Sequence, residues 1–217
     1  WGQTYTSAVS CYYASGHSTK IFYTWTSHYL PPPTELEGED VGHTAHLTWS
    51  LAGAGEPYWI IYDTGTADNA MAWYDPGAEV AVRFTPLGYP CTIKTFMMYT
   101  WDGSWPAGNY LTPFRVRIYA DAGGMPGAQL GQSDQTATSA FWLTVDLSAL
   151  NIVITSGDFW LAHYQLGTYQ DVPPTGICSA AAGQGRCLDH AVGAGWGGPS
   201  YDLYMIRAGV QGPMGDN

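Results

Sequence analysis

Hydrophobic and polar residues alternate along much of the chain. Over residues 79–86, Val80, Val82 and Phe84 are separated by smaller or polar residues, which is the period of two expected of a half-buried strand. The pattern is repeated in five segments: TIKTFMMYTW, FRVRIYAD, AFWLTVDLS, DFWLAHYQ and YDLYMIRAGV. Stretches rich in Gly and Pro, such as DAGGMPGAQ and GAGWGGPS, separate them. Many short strands joined by such turns predict an all-β, antiparallel β-sandwich with jelly-roll-like connections.

The N-terminal part predicts a different organisation. The segment KIFYTWTSHYL places Ile21, Tyr23, Trp25 and Tyr29 in alternation with more polar residues, and TAHLTWSL predicts a further strand. Between them, Pro31 to Pro33 favour a short polyproline stretch. We therefore predict an N-terminal strand extension with a Pro-rich hinge over residues 1–57, a β-sandwich over 58–212 and a tail over 213–217.

Composition narrows the possible partners. The chain has 217 residues, of which seven are Lys or Arg, and its net charge is −11. Such a surface repels nucleic acid and anionic lipid, and no apolar run approaches the roughly 20 residues that span a bilayer. The sequence begins at Trp1 and has an even number of cysteines, as expected of a mature product whose leader has been removed. We predict a secreted protein, extracellular or at the cell surface, that binds no nucleic acid and does not insert into membrane.

Four cysteines allow three disulfide pairings. Cys178 and Cys187 flank a loop of small residues, so we expect a loop-closing bond between them. By elimination Cys11 would pair with Cys91, with an intermolecular bond through Cys11 as the alternative. The paired C-x-x-C spacing typical of zinc sites is absent.

Five blocks resemble a known domain. The segments 62–69 (YDTGTADN), 81–86 (AVRFTP) and 117–127 (RIYADAGGMPG), followed by SGDFWLAHYQ and YDLYMIRAGV, are similar to recurring blocks of a domain in large secreted bacterial proteins. The resemblance covers about residues 58–210. It implies a β-sandwich of poorly defined function, often found beside fibronectin-like and secretion-sorting domains. The segment 30–51 resembles the first two strands of a fibronectin type III domain whose remaining strands are missing.

Candidate catalytic and metal sites are sparse. No G-x-S-x-G nucleophile elbow occurs, and the 18 acidic residues lie mostly in turns, so we predict that the protein is not an enzyme and needs no cofactor. Oxygen donors at Asp63, Asp68 and Asn69 have a spacing compatible with a structural calcium ion. Asx turns, in which these side chains bond their own backbone, are the favoured interpretation.

Aromatic residues make up 15% of the chain, and three tryptophans lie in predicted loops: Trp101, Trp105 and Trp196. Exposed loop rings are typical of sugar-stacking sites and of protein interfaces. Our first hypothesis is a non-catalytic structural protein that assembles with copies of itself into a fibre or surface layer. In it the N-terminal strand carrying Ile21, Tyr23, Trp25 and Tyr29 adds to the sheet of a neighbouring subunit. The alternative is a carbohydrate-binding accessory module that uses the loop tryptophans to bind an extracellular polysaccharide.

Overall fold

The computed structural model describes residues 57–179, 185–197 and 203–213 in full, and the backbone of the strands between residues 3 and 50. The chain divides into two compact units, Trp1–Ala54 and Gly55–Asn217. Residues outside the described part include Cys11 and Tyr29.

The strands described in the first unit form three two-stranded antiparallel sheets, in which β1 pairs with β4, β2 with β3, and β5 with β6. Its strands are β1 (Gln3–Val9), β2 (Tyr12–Tyr13), β3 (Gly16–His17), β4 (Ile21–Ser27), β5 (Thr34–Val41) and β6 (Thr44–Ser50). Of the two predicted N-terminal strands, KIFYTWTSHYL corresponds to β4, which pairs with β1, and TAHLTWSL corresponds to β6, which pairs with β5.

The described residues of the second unit form thirteen strands and one short 3₁₀ helix, Ser148–Leu150. The strands are β7 (Pro57–Ile60), β8 (Asn69–Met71), β9 (Glu79–Phe84), β10 (Cys91–Thr100), β11 (Pro113–Asp121), β12 (Pro126–Thr136), β13 (Phe141–Asp146), β14 (Val153–Ile154), β15 (Phe159–Gln165), β16 (Thr175–Cys178), β17 (Cys187–His190), β18 (Leu203–Tyr204) and β19 (Ile206–Gln211). Within the described residues no helix is long and apolar enough to span a bilayer.

Two antiparallel sheets form the sandwich, which confirms the predicted fold class. The eight-stranded sheet follows the order β18-β16-β10-β19-β7, with β13 and β14 paired to β10 and β8 paired to β16. The five-stranded sheet has the order β12-β11-β15-β9-β17. Each sheet presents one face to the shared core, which explains the period-two pattern of the strands.

The inward faces match the predicted alternation closely. Val80, Val82 and Phe84 of β9 are at most 2% exposed. Ala81, which the pattern places on the outer face, is also fully buried, so that face of β9 is covered as well. In β13 the alternation of AFWLTVDLS predicts that Phe141 shares the inward face of Leu143 and Val145, but Phe141 is 54% exposed and has a φ of 68°. At this end of β13 the left-handed backbone directs the ring away from the core.

Candidate functional site

Three aromatic rings meet at one end of the sandwich, on the loops that follow β8, β10 and β15. They belong to Tyr74, Trp105 and Tyr169, which we call the open cluster. The ring centroids of Tyr74 and Tyr169 are 5.0 Å apart with the planes tilted by 51°, and Trp105 lies 6.2 Å from Tyr169 at 61°. Tyr74 is 75% exposed and Trp105 42% exposed. The open cluster therefore presents apolar ring surface to solvent on three separate loops.

A buried glutamine holds two of these loops together. Gln165, the last residue of β15, is 3% exposed. Its Nε2 donates to the carbonyl oxygens of Trp73 (2.8 Å) and Gly167 (3.0 Å), and its Oε1 accepts from the Trp73 amide (2.9 Å). The Tyr169 amide also donates to the Tyr74 carbonyl at 3.1 Å. These bonds position Tyr74 and Tyr169 although neither lies in a strand.

The loop carrying Trp105 is joined to the loop carrying Tyr169 by hydrogen bonds to Asp171 and by a close approach at Gly108. The amide of Asn109 donates to Oδ1 of Asp171 at 2.8 Å, and the hydroxyl of Thr112 donates to the Asp171 carbonyl at 3.3 Å. A Cβ atom at Gly108 would lie 2.5 Å from the carbonyl oxygen of Gln170. Only glycine allows this approach, so the loop carrying Trp105 packs directly on the loop carrying Tyr169.

The charged residues on the three loops of the open cluster are all acidic. The loops over 72–78, 101–112 and 166–174 contain three aspartates, Asp75, Asp102 and Asp171, and neither Lys nor Arg. Hydrogen bonds from Ser104 lower the pKa of the Asp102 carboxyl. The site thus offers hydrogen-bond acceptors to a ligand and repels anions.

A second aromatic group lies on the outer face of the five-stranded sheet. Ala81 and Ala162 are direct partners on β9 and β15, and their small side chains leave a floor on which Tyr119 and Trp160 pack, with Trp196 against them. The Trp196 ring meets Tyr119 edge-on at 5.8 Å. We call this group the covered cluster, because Trp160 is fully buried and Tyr119 is 7% exposed.

A buried carboxylate borders the covered cluster. Glu79, 4% exposed, accepts hydrogen bonds from Arg117 Nη1 and from the Tyr119 hydroxyl, each at 2.7 Å. The Arg117 guanidinium also lies 3.8 Å from the centre of the Tyr164 ring. Burial, with Glu79, raises the pKa of Tyr119, so its hydroxyl remains a donor. Both Glu79 oxygens are engaged within the sheet face, as expected of a structural ion pair.

A histidine is buried between the sheets, behind the open cluster. His163 Nδ1 lies 2.7 Å from Thr175 Oγ1, and desolvation lowers the His163 pKa to about 3. Together with Trp73 and Gln165 it lines a cavity of about 10 Å³, and its Nε2 and Trp73 Nε1 have no hydrogen-bond partner there. That volume is of the order of one water molecule, so larger ligands cannot reach the imidazole. The lowered pKa keeps the imidazole neutral near pH 7.

The structure separates the three loop tryptophans that the sequence singles out. Trp105 belongs to the open cluster, whereas Trp196 packs in the covered cluster. Trp101 is half-buried: its Nε1 donates to Ser104 Oγ at 2.9 Å and its ring lies edge-on to Tyr99 at 6.4 Å. The three therefore do not form one surface.

Sequence reasoning missed Tyr74, Tyr169 and Gln165. Both tyrosines stand in turn-rich segments, WYDPG and GTYQDVPP, so an aromatic residue flanked by Asp, Gly and Pro was the available signal. No local pattern marks Gln165, since its partner Trp73 is 92 positions away.

The predicted calcium ligands are engaged separately. Asp63 is buried and its carboxylate accepts from the Arg207 guanidinium, with Nε to Oδ2 at 2.9 Å. Asp68 Oδ2 accepts from the Ser179 amide at 2.9 Å, and Asn69 Oδ1 accepts from the next residue's amide. Across the fully described segments no three His, Cys, Asp or Glu side chains are grouped to hold a metal ion.

The predicted disulfides are not supported. Cys91 and Cys178 are buried free thiols. Cys178 lies on β16 of the eight-stranded sheet and Cys187 on β17 of the five-stranded sheet. Cys178 Sγ lies 3.2 Å from Thr64 Oγ1, and burial raises the Cys91 pKa to about 11. Cys11 lies outside the described residues.

The five-stranded sheet ends in a long edge. β12, eleven residues long, has β11 as its sheet partner among the described strands. From Gly131 to Thr136 the ladder with β11 has no register shift. Asp134 is the acidic residue of this strand, and Arg115 on β11 forms an ion pair with it. The outer backbone groups of β12 therefore form a regular edge with little repulsive charge.

The predicted subunit-contact strand lies in β4. Its residues Ile21, Tyr23 and Trp25 are aligned with β1 of the same chain, Ile21 opposite Val9 and Trp25 opposite Tyr5. The seven aligned pairs make β1 and β4 a two-stranded ribbon rather than single unpaired strands. Tyr29, the fourth predicted residue, lies outside the described part.

The geometry can be compared with known proteins. No protein-family model matches the chain. It is similar to bacillopeptidase F of Bacillus subtilis (strain 168), with 29% identity over 181 residues that make up 80% of this chain. The match spans only 12% of that protein.

A solved structure shows a similar fold. It contains the cysteine protease and lectin-like domains of Cwp84, a surface layer associated protein of Clostridium difficile. The TM-score is 0.50, covering 64% of this chain and 33% of the other, at 11% identity. At this identity the likeness concerns the fold alone.

Proposed function

We propose that the protein is a non-catalytic extracellular structural module that assembles with copies of itself by strand addition. The ribbon of β1 and β4 from one copy adds to the β12 edge of the next. The observation that carries the proposal is this edge, eleven residues long and regular from Gly131 to Thr136. The two sides of the contact are different surfaces, so repetition extends a filament or layer.

The edge has few of the features that discourage strand pairing. Soluble monomers usually protect long edges with lysines, prolines or unpaired charges. β12 has no lysine, its Pro126 stands at the first position, and its Asp134 is neutralised by Arg115. Among the described strands none pairs with the outer edge of β12, so its outer N–H and C=O groups are available to an incoming strand.

The ribbon supplies a matching partner. Two-stranded sheets are at best marginally stable alone in water, so the ribbon gains from a third strand. β4 has seven residues, which fits within the length of β12. The hydrophobic residues Ile21, Tyr23 and Trp25 stand at alternate positions of β4, which would place them on one face of the extended sheet.

An extracellular location is supported by three observations. The chain has few charged residues, 12% in all. It is similar to a segment of bacillopeptidase F. Its fold is shared with part of a surface layer associated protein.

The test combines light scattering after size-exclusion chromatography with negative-stain electron microscopy. We expect the full chain to form filaments or sheets and Gln132→Lys, which puts a charge on the edge, to give monomers. Ala149→Lys adds the same charge at an exposed position of the 3₁₀ helix and should assemble normally. Removing residues 1–30 should also abolish assembly; unchanged assembly of either the Gln132→Lys or the shortened protein would refute the mechanism.

A further inference from the structure

We infer that the open cluster of Tyr74, Trp105 and Tyr169 is a binding site for a neutral saccharide. This inference is independent of strand addition, because it concerns the loops at one end of the sandwich and no residue of β12. Three arguments support it: the rings are held in place, they are exposed, and the surrounding charge selects the ligand.

The rings are held by hydrogen bonds and close contacts between their loops. Gln165 fixes the loops of Tyr74 and Tyr169, and Asp171 with Gly108 fixes the loop of Trp105 against them. A ligand therefore meets rings that are already ordered, which reduces the entropy lost on binding.

Exposure of these rings is costly without a ligand. Apolar surface left in water does not gain the roughly 25 cal/mol per Å² of stabilisation that burial provides. Tyr74 is 75% exposed although it stands beside Tyr169. The covered cluster shows that this fold can bury loop aromatics, since Trp196 packs on Tyr119. Ordered exposed rings of this kind mark a contact surface.

The chemistry around the rings favours a neutral sugar. The C–H faces of a pyranose pack on aromatic rings, while its hydroxyls donate to carboxylate and amide oxygens. Asp75, Gln170 and the tyrosine hydroxyls border the site and are exposed or partly exposed. The absence of Lys and Arg from the three loops disfavours sulfated, phosphorylated and uronic sugars.

The ring angles indicate which part of a glycan binds. Planes tilted by 51° and 61° around Tyr169 form a corner rather than a flat platform. A corner contacts two faces of one or two sugar units, so we expect soluble oligosaccharides or chain ends to bind better than crystalline polysaccharide surfaces.

The experiment uses the full-length Gln132→Lys protein, so that filament formation does not affect the result. It is applied to an array of neutral glucans, mannans, galactans, xylans and chitooligosaccharides, with uronic and sulfated glycans alongside. Titration calorimetry then measures the affinity for the bound neutral oligosaccharide. We expect Trp105→Ala and Tyr74→Ala each to weaken binding at least tenfold. Trp59→Ala, which removes a tryptophan of similar exposure (40%) on β7, should leave it unchanged.

Thermal melting of each variant checks that the fold is retained, and Tyr74→Ala serves if Trp105→Ala does not fold. Four outcomes would overturn the inference: no neutral glycan bound at millimolar concentration, binding of acidic glycans alone, equal losses in Trp59→Ala, or unchanged affinity in folded Trp105→Ala and Tyr74→Ala. If filaments form normally while no glycan binds, only this inference fails; if glycans bind while no filament forms, only strand addition fails.

Discussion

The open and covered clusters use the same residue types and differ in what lies beneath them. In the covered cluster, Ala81 and Ala162 leave space on a sheet face, and Trp160 and Trp196 fill it. In the open cluster the rings stand on loops that are held by Gln165 and by backbone bonds, and Tyr74 and Trp105 remain 75% and 42% exposed. The covered cluster is therefore expected to contribute mainly to stability, whereas the open cluster leaves ring surface accessible to a ligand.

The largest expected effect is in the covered cluster. Trp160→Ala removes a fully buried ring whose Nε1 donates to Asp121 Oδ1 at 2.8 Å, so we expect a loss of about 3–5 kcal/mol in the free energy of unfolding. Urea denaturation of both proteins measures it. A loss below about 1 kcal/mol would mean that the outer face of the five-stranded sheet is not a second core.

Acid should lower the free energy of unfolding through His163, which lies behind the open cluster. The His163 pKa is about 3 when folded, below its ordinary value of 6.5, so the unfolded chain takes up a proton below pH 6.5 while the folded chain does not. The full contribution of neutral His163 to the free energy of unfolding is present above pH 6.5. This contribution is lost as the pH falls toward 3, on the order of 2–3 kcal/mol by pH 4.5.

His163→Gln isolates this contribution, because the carboxylates titrate equally in both proteins. Urea denaturation at pH 7 and pH 4.5 should show a smaller acid-induced loss of stability in the variant than in the parent. Equal losses would show that His163 is protonated in the folded state.

A smaller effect is expected where a loop covers the sheet. Trp196 is half-buried and packs edge-on against Tyr119, so Trp196→Ala should cost about 1–2 kcal/mol of stability. Differential scanning calorimetry would show it as a lower Tm. If glycan binding also falls in this variant, the division between the two clusters is wrong.

The smallest stability effect belongs to the open cluster. Trp105 is 42% exposed and its ring contacts Tyr169, so we expect Trp105→Ala to cost less stability than Trp196→Ala, about 1 kcal/mol or less. The same urea experiment compares it directly with Trp196→Ala. A cost equal to that of Trp196→Ala would place Trp105 among the structural residues.

Sequence alone was sufficient for the fold class and for strands such as β9 and β11, but it missed β12, which begins inside the segment DAGGMPGAQ that was interpreted as a turn. The period-two patterns of β9 and β11 predicted which residues face the core, because each strand that borders a core must alternate. Gly and Pro clusters marked the turns between them for an equally local reason. The lack of Lys and Arg in residues 72–78, 101–112 and 166–174 is also visible in the sequence.

Only the tertiary structure decided which side chains meet. Gln165 reaches Trp73 across 92 positions, and Asp63 reaches Arg207 across 144, so neither the loop contact nor the engagement of the predicted calcium ligand was visible in a local pattern. Cys178 and Cys187 are near in sequence but belong to opposite sheets. Which tryptophan is covered likewise depends on two alanines from separate strands. Local periodicity specifies the face of a strand, whereas contacts between distant segments specify a site.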